Sequence, residues 1–295
     1  MALILGQVLV LAAALAAPLE IEVRARAVAP GEPVRFIVRS EASLASLEAR
    51  FLGHPLVFSK LPGRGEEAQR RWSAWSSVPL DASPTETVVE VRGRTTEGQE
   101  ALGLLVVEVI ARDYPEERLE VASRFVQPSA EALRKIEADR EKLNRVYARR
   151  GTPRHREGVF LRPVPGRPTS IFGTRRFFNG EARDPHPGLD LEAATGTEVR
   201  ASGDGEVVLA QDLYYAGNTV IIDHGQGLFT IYAHLSRIDA VEGQPIARGA
   251  VLGRSGATGR VTGPHLHWGA KFGAEPFDPR ALLDAKLFAP SKSVR

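Results

Sequence analysis

"TGPHLHWGAKFG", residues Thr262 to Gly273, reads as an extended strand with two chemically different sides. Residues two apart on a strand project to the same face, with alpha carbons about 6.6 Å apart. His265 and His267 therefore look one way and Leu266 the other. The chain has only seven histidines, so two on one strand face form a concentrated feature. A surface pair, a metal site and an acid/base pair would all produce it, and the choice depends on what the rest of the chain can bring alongside.

Upstream, "DPHPGLDLEA" (Asp184 to Ala193) carries His186 and Asp190. Fully extended, these two would lie about 13 Å apart, too far for one ion with ligand bonds of about 2.0 to 2.2 Å. Pro187-Gly188 between them allows a bend. In "GLDLEA", Leu189 and Leu191 bury one side and Asp190 points to the other. His186, Asp190 and one histidine of the pair then supply three N/O ligands. A fourth tetrahedral position is left for water, as in a catalytic zinc site. Spacing does not decide which of His265 and His267 is the ligand; the other is positioned for proton transfer. "TIYAHLS" (Thr230 to Ser236) offers His234 among apolar neighbours Ile231, Ala233 and Leu235. In a domain that already holds a metal site, it reads as a second acid/base.

Composition sets the frame. The 295 residues are enough for two domains, and 43% hydrophobic with 25% charged content is that of a globular chain. A net charge of +2, with no basic run interleaved with aromatics, gives no footprint for nucleic acid. There is no cysteine, which excludes disulfides, thiolate ligands and a Cys-acylated anchor. Residues 1–17 form an apolar run ending in small residues, read as a signal peptide too short to span a bilayer comfortably. Export to the periplasm or cell envelope follows, with no stable membrane anchor after cleavage.

From residue 18 to 127, alternating runs such as "LEIEVRARAV" and "LGLLVVEVIAR" separated by Gly and Pro clusters predict an immunoglobulin-like β-sandwich. Residues 128–150 predict a linker helix. Ser129 is its N-cap, Arg149 and Arg150 favour its C-terminal end, and Leu133, Ile136, Leu143, Val146 and Tyr147 form a narrow stripe that docks on a neighbour. Residues 162–288 predict a C-terminal antiparallel β-sheet domain, which makes the chain mainly β. His54, His155 and His224 are read as surface, loop and structural residues. Arg175 and Arg176 could steer an anionic polymer, and Tyr214 and Tyr215 could line a peptide groove.

Between Pro168 and Leu283 the chain resembles the lysostaphin-type (LytM-domain) zinc metallopeptidases. The likeness rests on "HPGLD", "YAHLS" and "GPHLHW" in that order, with "SIFGTRRFFNG", "AGNTVIIDHG" and "FDPRALL" around them. By that resemblance His186, Asp190 and His267 are the zinc ligands, with one Zn2+ per chain, and His234 and His265 are the catalytic histidines. It implies a secreted endopeptidase that hydrolyses peptide cross-links of bacterial peptidoglycan through a metal-activated water. A regulatory protein partner is conceivable. The alternative is a non-catalytic LytM-type regulator that activates other wall hydrolases by protein contact.

Overall fold

The computed structural model describes residues 16–61, 70–149 and 160–288. Residues 1–15, on which most of the signal-peptide expectation falls, and the 150–159 segment with His155 lie outside them. Among the described residues no helix is long and apolar enough to cross a membrane. The chain divides into two compact units, Met1–Arg112 and Asp113–Arg295.

The first unit is built from β1 (Ala17–Ala25), β2 (Pro33–Ser40), β3 (Leu44–Phe51), β4 (His54–Pro55), β5 (Ser59–Lys60), β6 (Arg71–Ser77), β7 (Thr85–Thr95) and β8 (Glu100–Val109). They form one path, β4-β3-β7-β8-β1-β2-β6-β5, antiparallel except where β1 meets β8 through Ala17↔Ala101 and Pro18↔Leu102. Period-two alternation explains its core. In β8, Ala101, Leu105, Val107 and Val109 are buried, while Glu100, Val106 and Glu108 face solvent. Phe36 and Phe51 meet edge to face at 5.1 Å inside the cluster. The mainly β expectation holds, but this strand order does not confirm an immunoglobulin-like sandwich.

The second unit starts upstream of the linker helix. It opens with β9 (Glu116–Leu119), a 3-10 turn at Ser123–Phe125 and helix α1 (Ala130–Tyr147). Ser129 Oγ accepts from Ala132 N at 3.2 Å, the expected N-cap, with Glu131 in the first turn. The apolar stripe docks most fully at its C-terminal end, with Ile136 half-buried before it. Val146, with Leu143 and Tyr147, packs on Leu209, Leu213, Ile221 and Phe229, whereas Leu133 is 54% exposed.

The strands that follow are β10 (Pro168–Ser170), β11 (Arg175–Phe178), β12 (Glu181–Arg183), β13 (Gly188–Glu192), β14 (Glu198–Arg200), β15 (Gly205–Leu213), β16 (Gly217–Gly225) and β17 (Leu228–Ile238). After them come β18 (Pro245–Ile246), β19 (Val251–Ser255), β20 (His265–Phe272) and β21 (Glu275–Phe277). The main sheet runs β10-β13-β20-β17-β16-β15-β18, and a small sheet runs β12-β11-β9, with β9 parallel to β11. Under the main sheet lie Leu189, Leu191, Tyr232, Leu266 and Trp268. His224 is structural, as expected. Its Nδ1 donates to Asp204 O at 2.7 Å and its Nε2 lies 2.7 Å from Thr230 Oγ1, itself 3.0 Å from the Tyr232 hydroxyl. The Tyr232 hydroxyl also accepts from Ser202 N at 2.7 Å, so this buried polar chain is paired along its length.

Candidate metal centre

Three neighbouring strands carry the site. Asp190 on β13 is directly opposite His267 on β20, which is directly opposite Ala233 on β17. Opposed residues share a face with Cβ atoms about 5 Å apart. Leu189, Leu191, Leu266 and Trp268, one step away on their strands, are buried on the other face, which leaves Asp190, His265 and His267 on the polar side.

His186 precedes β13 in a segment fastened at both ends of the residue: His186 N donates to Thr174 O, and Gly173 N donates to His186 O, each at 2.9 Å. The bend expected at Pro187-Gly188 is not a sharp one, since Gly188 already opens β13; the His186 ring itself reaches along to Asp190, its Nε2 lying 3.0 Å from Oδ1. Gly188 must be glycine for lack of room, because a Cβ there would lie 2.7 Å from both Cε1 and Nε2 of His267.

His234 reaches the site by a backbone irregularity. The pairing of β16 with β17 shifts register between Asn218↔Leu235 and Val220↔Tyr232, and His234 has φ 64°, in the left-handed region. A bulge of this kind re-aims a side chain. Regular alternation would send His234 to the side opposite Ala233, yet both line one groove of about 430 Å³ with Asp190, His265 and His267.

Protonation follows from the outer contacts. A carbonyl oxygen only accepts, so Nδ1 of His186 donates to Ile171 O at 3.0 Å, that of His234 to Thr258 O at 2.9 Å, and that of His265 to Gly263 O at 2.8 Å. In the neutral ring the remaining nitrogen, Nε2, carries a lone pair. Burial lowers the His186 pKa to about 4, against the pull of Asp190. Burial, with the neighbouring His267 and His265, lowers that of His234 to about 3. Both rings are thus neutral at physiological pH. Burial alone would raise the Asp190 carboxyl, but the hydrogen bond with His267 Nδ1 outweighs it and holds the group well below the carboxylate range.

His186 Nε2 lies 3.0 Å from Asp190 Oδ1 and 3.0 Å from His267 Nδ1, and Asp190 Oδ1 lies 2.9 Å from His267 Nδ1. The edge of a tetrahedron with 2.0 to 2.1 Å bonds is about 3.3 Å, close to this triangle. Potential ligand atoms of the three residues all fall within 4.8 Å of one another. Two imidazoles and a carboxylate suit zinc and need no thiolate. His265 Nε2 stands 3.7 Å from Asp190 Oδ1, and the His234 and His265 rings are 4.9 Å apart.

Arg176 has a different setting from the one its sequence suggested. It is not a free steering cation: its side chain is only 16% exposed and donates to Asp190 Oδ2 at 2.7 Å, Ser170 Oγ at 3.1 Å and Glu117 Oε2 at 3.2 Å. It thereby fixes the carboxylate oxygen turned away from the histidines. Arg175 is 63% exposed and paired with Glu116. Tyr215 lines the groove, while Tyr214 packs on Phe125 at 5.6 Å. Sequence reasoning missed Glu117, Leu119 and Val121, which form part of the groove wall; their one signal was the short alternating run "EERLEV".

A mainly β unit whose groove gathers two imidazoles and a carboxylate beside two further imidazoles has the donor set that metal-dependent hydrolases use. Residues 184–279 match peptidase family M23. A crystallised Pseudomonas aeruginosa protein described as a peptidase M23 superposes with TM-score 0.64 at 30% identity, covering 87% of this chain and 95% of that one. The chain belongs to peptidase family M23. It is 52% identical over 84 residues to the peptidoglycan DD-endopeptidase ShyA of Vibrio cholerae, 28% of this chain and 20% of that protein. It is 45% identical over 94 residues to the DD-carboxypeptidase/endopeptidase Mpg of Neisseria meningitidis, 32% of this chain and 22% of that one. The chain thus spans about a fifth of the length of these curated relatives.

Proposed function

We propose that the chain is a zinc metalloendopeptidase of the bacterial cell envelope that hydrolyses peptide cross-links of peptidoglycan. His186, Asp190 and His267 hold one ion, and His234 and His265 are the catalytic histidines. The observation that carries this reading is the triangle of His186 Nε2, Asp190 Oδ1 and His267 Nδ1 at 2.9 to 3.0 Å, flanked by two imidazoles whose Nδ1 hydrogens are already committed to carbonyls. Relatives named peptidoglycan DD-endopeptidase and DD-carboxypeptidase/endopeptidase support the substrate class.

Bound zinc supplies Lewis-acid activation of water and of the scissile carbonyl. The chain's own residues do the rest. Asp190 lends one oxygen because Arg176 holds the other. His234 and His265, whose Nδ1 hydrogens are held by the Thr258 and Gly263 carbonyls, offer Nε2 as acceptors for the proton of the attacking water. Once protonated, the same nitrogen becomes a donor to the developing oxyanion or to the departing amine. No nucleophilic side chain is required, so no covalent intermediate forms.

The test is digestion of purified sacculi, with released fragments identified by mass spectrometry and zinc measured on the same samples. Wild type should release cross-link fragments with one zinc per chain; Asp190→Ala should do neither. Fragment release by metal-free Asp190→Ala would overturn the reading. No observation favours the non-catalytic regulator, since every ligand and both further histidines are present in the sequence.

A further inference from the structure

Arg260, in the loop between β19 and β20, stands apart from the other arginines near the groove. Its guanidinium lies 4.5 Å from the ring centroid of Phe178 and 4.5 Å from that of Tyr215, and it lines the groove with His234 and His265. Arg176 is paired with Glu117 and Asp190, and Arg183 with Glu181. Among the described residues no carboxylate comes within ion-pairing distance of Arg260; Asp184 attracts it only from farther away. Burial, with Arg176 and Arg183 nearby, lowers its pKa from the ordinary arginine value, the mark of a cation stripped of part of its water. A guanidinium nevertheless stays charged.

The two aromatic rings attract the cation without taking its N–H hydrogens as a carboxylate would; those hydrogens lie in the guanidinium plane, where a carboxylate can take two at once. A partly desolvated cation with vacant donors in a substrate groove is unfavourable until an anion arrives.

We infer that Arg260 receives a free carboxylate of the substrate, the one borne by the carbon that carries the departing amine. This rests on the peptidase reading above and narrows it. In a direct D-alanyl to diamino-acid cross-link, the amine released by hydrolysis sits on a carbon that also bears a carboxylate. In an oligoglycine bridge, the corresponding carboxyl is tied up in the next peptide bond. Arg260 thus selects direct cross-links, and it contributes through binding and positioning of the leaving side, separately from the proton chemistry of His234 and His265.

The test uses the full chain with zinc and two cross-linked muropeptide dimers that differ at one place, this carboxylate being either free or amidated. Wild type should show kcat/KM higher on the free acid by about 10- to 100-fold, the usual scale for losing one partner of a charged hydrogen-bonded pair. Arg260→Met should bring the ratio of the two dimers to about one, and Arg260→Lys should recover part of it, with zinc content equal in all three proteins. Equal cleavage of both dimers by wild type, or an equal loss on both in Arg260→Met, would overturn the assignment. Cleavage of neither dimer by zinc-loaded wild type would instead bring down the peptidase reading itself.

Discussion

Strands β8 and β20 follow one rhythm and differ in consequence. Both bury alternate residues, Leu105 and Val107 in one, Leu266 and Trp268 in the other. On the outward face of β8 and its partner β7, charges such as Arg92 and Glu90 pair along the surface in water. On the outward face of β20 the positions are His265 and His267, and the strands either side bring Asp190 and His234 against them. The first arrangement is a solvated face whose pairs are worth little. The second is a half-closed groove, where removing one charge or lone pair leaves its partners stranded. Periodicity determines which side faces out; neighbouring strands determine whether that side has chemistry.

The sharpest break of this contrast should come from Asp190→Ala or His267→Ala, which should abolish both zinc retention and fragment release to background. Next, His234→Ala and His265→Ala should keep zinc while lowering turnover by about 10² to 10⁴. Zinc retained with unchanged turnover in either would end the division between ligand and proton carrier. Smaller again, Gly188→Ala should press its new methyl on the His267 ring and weaken zinc affinity by about 10-fold or more, read by competition with a chelator. At the bottom of the scale, Arg92→Ala on the first unit's surface should change unfolding free energy by no more than about 0.5 kcal/mol and leave zinc content as in wild type. A large effect there would mean that the solvated face is not idle.

Much of this was legible in the sequence because it depended on short-range geometry. The i, i+2 spacing of His265 and His267 and the leucines around Asp190 act within a few residues, where strand periodicity is decisive. Ser129 as a helix cap was legible for the same reason. What escaped depended on the backbone over longer range. His234 enters the groove through a left-handed residue in a bulge, which neither glycine nor asparagine marks. Glu117 reaches Arg176 only because β9 lies parallel to β11, a pairing between segments some 59 residues apart. Alternation announced the strands of the first unit, but not the order in which they would lie side by side.

The direct opposition of Asp190, His267 and Ala233 across three strands has a further bearing on how activity arises. If β20 were displaced by a single step along its neighbours, both imidazoles would swing into the oily interior, and Leu266 and Trp268 would surface in their stead. A sheet paired that way could not bring the carboxylate and the two imidazoles together, so the presence of the triangle reports the correct registration of β13, β20 and β17.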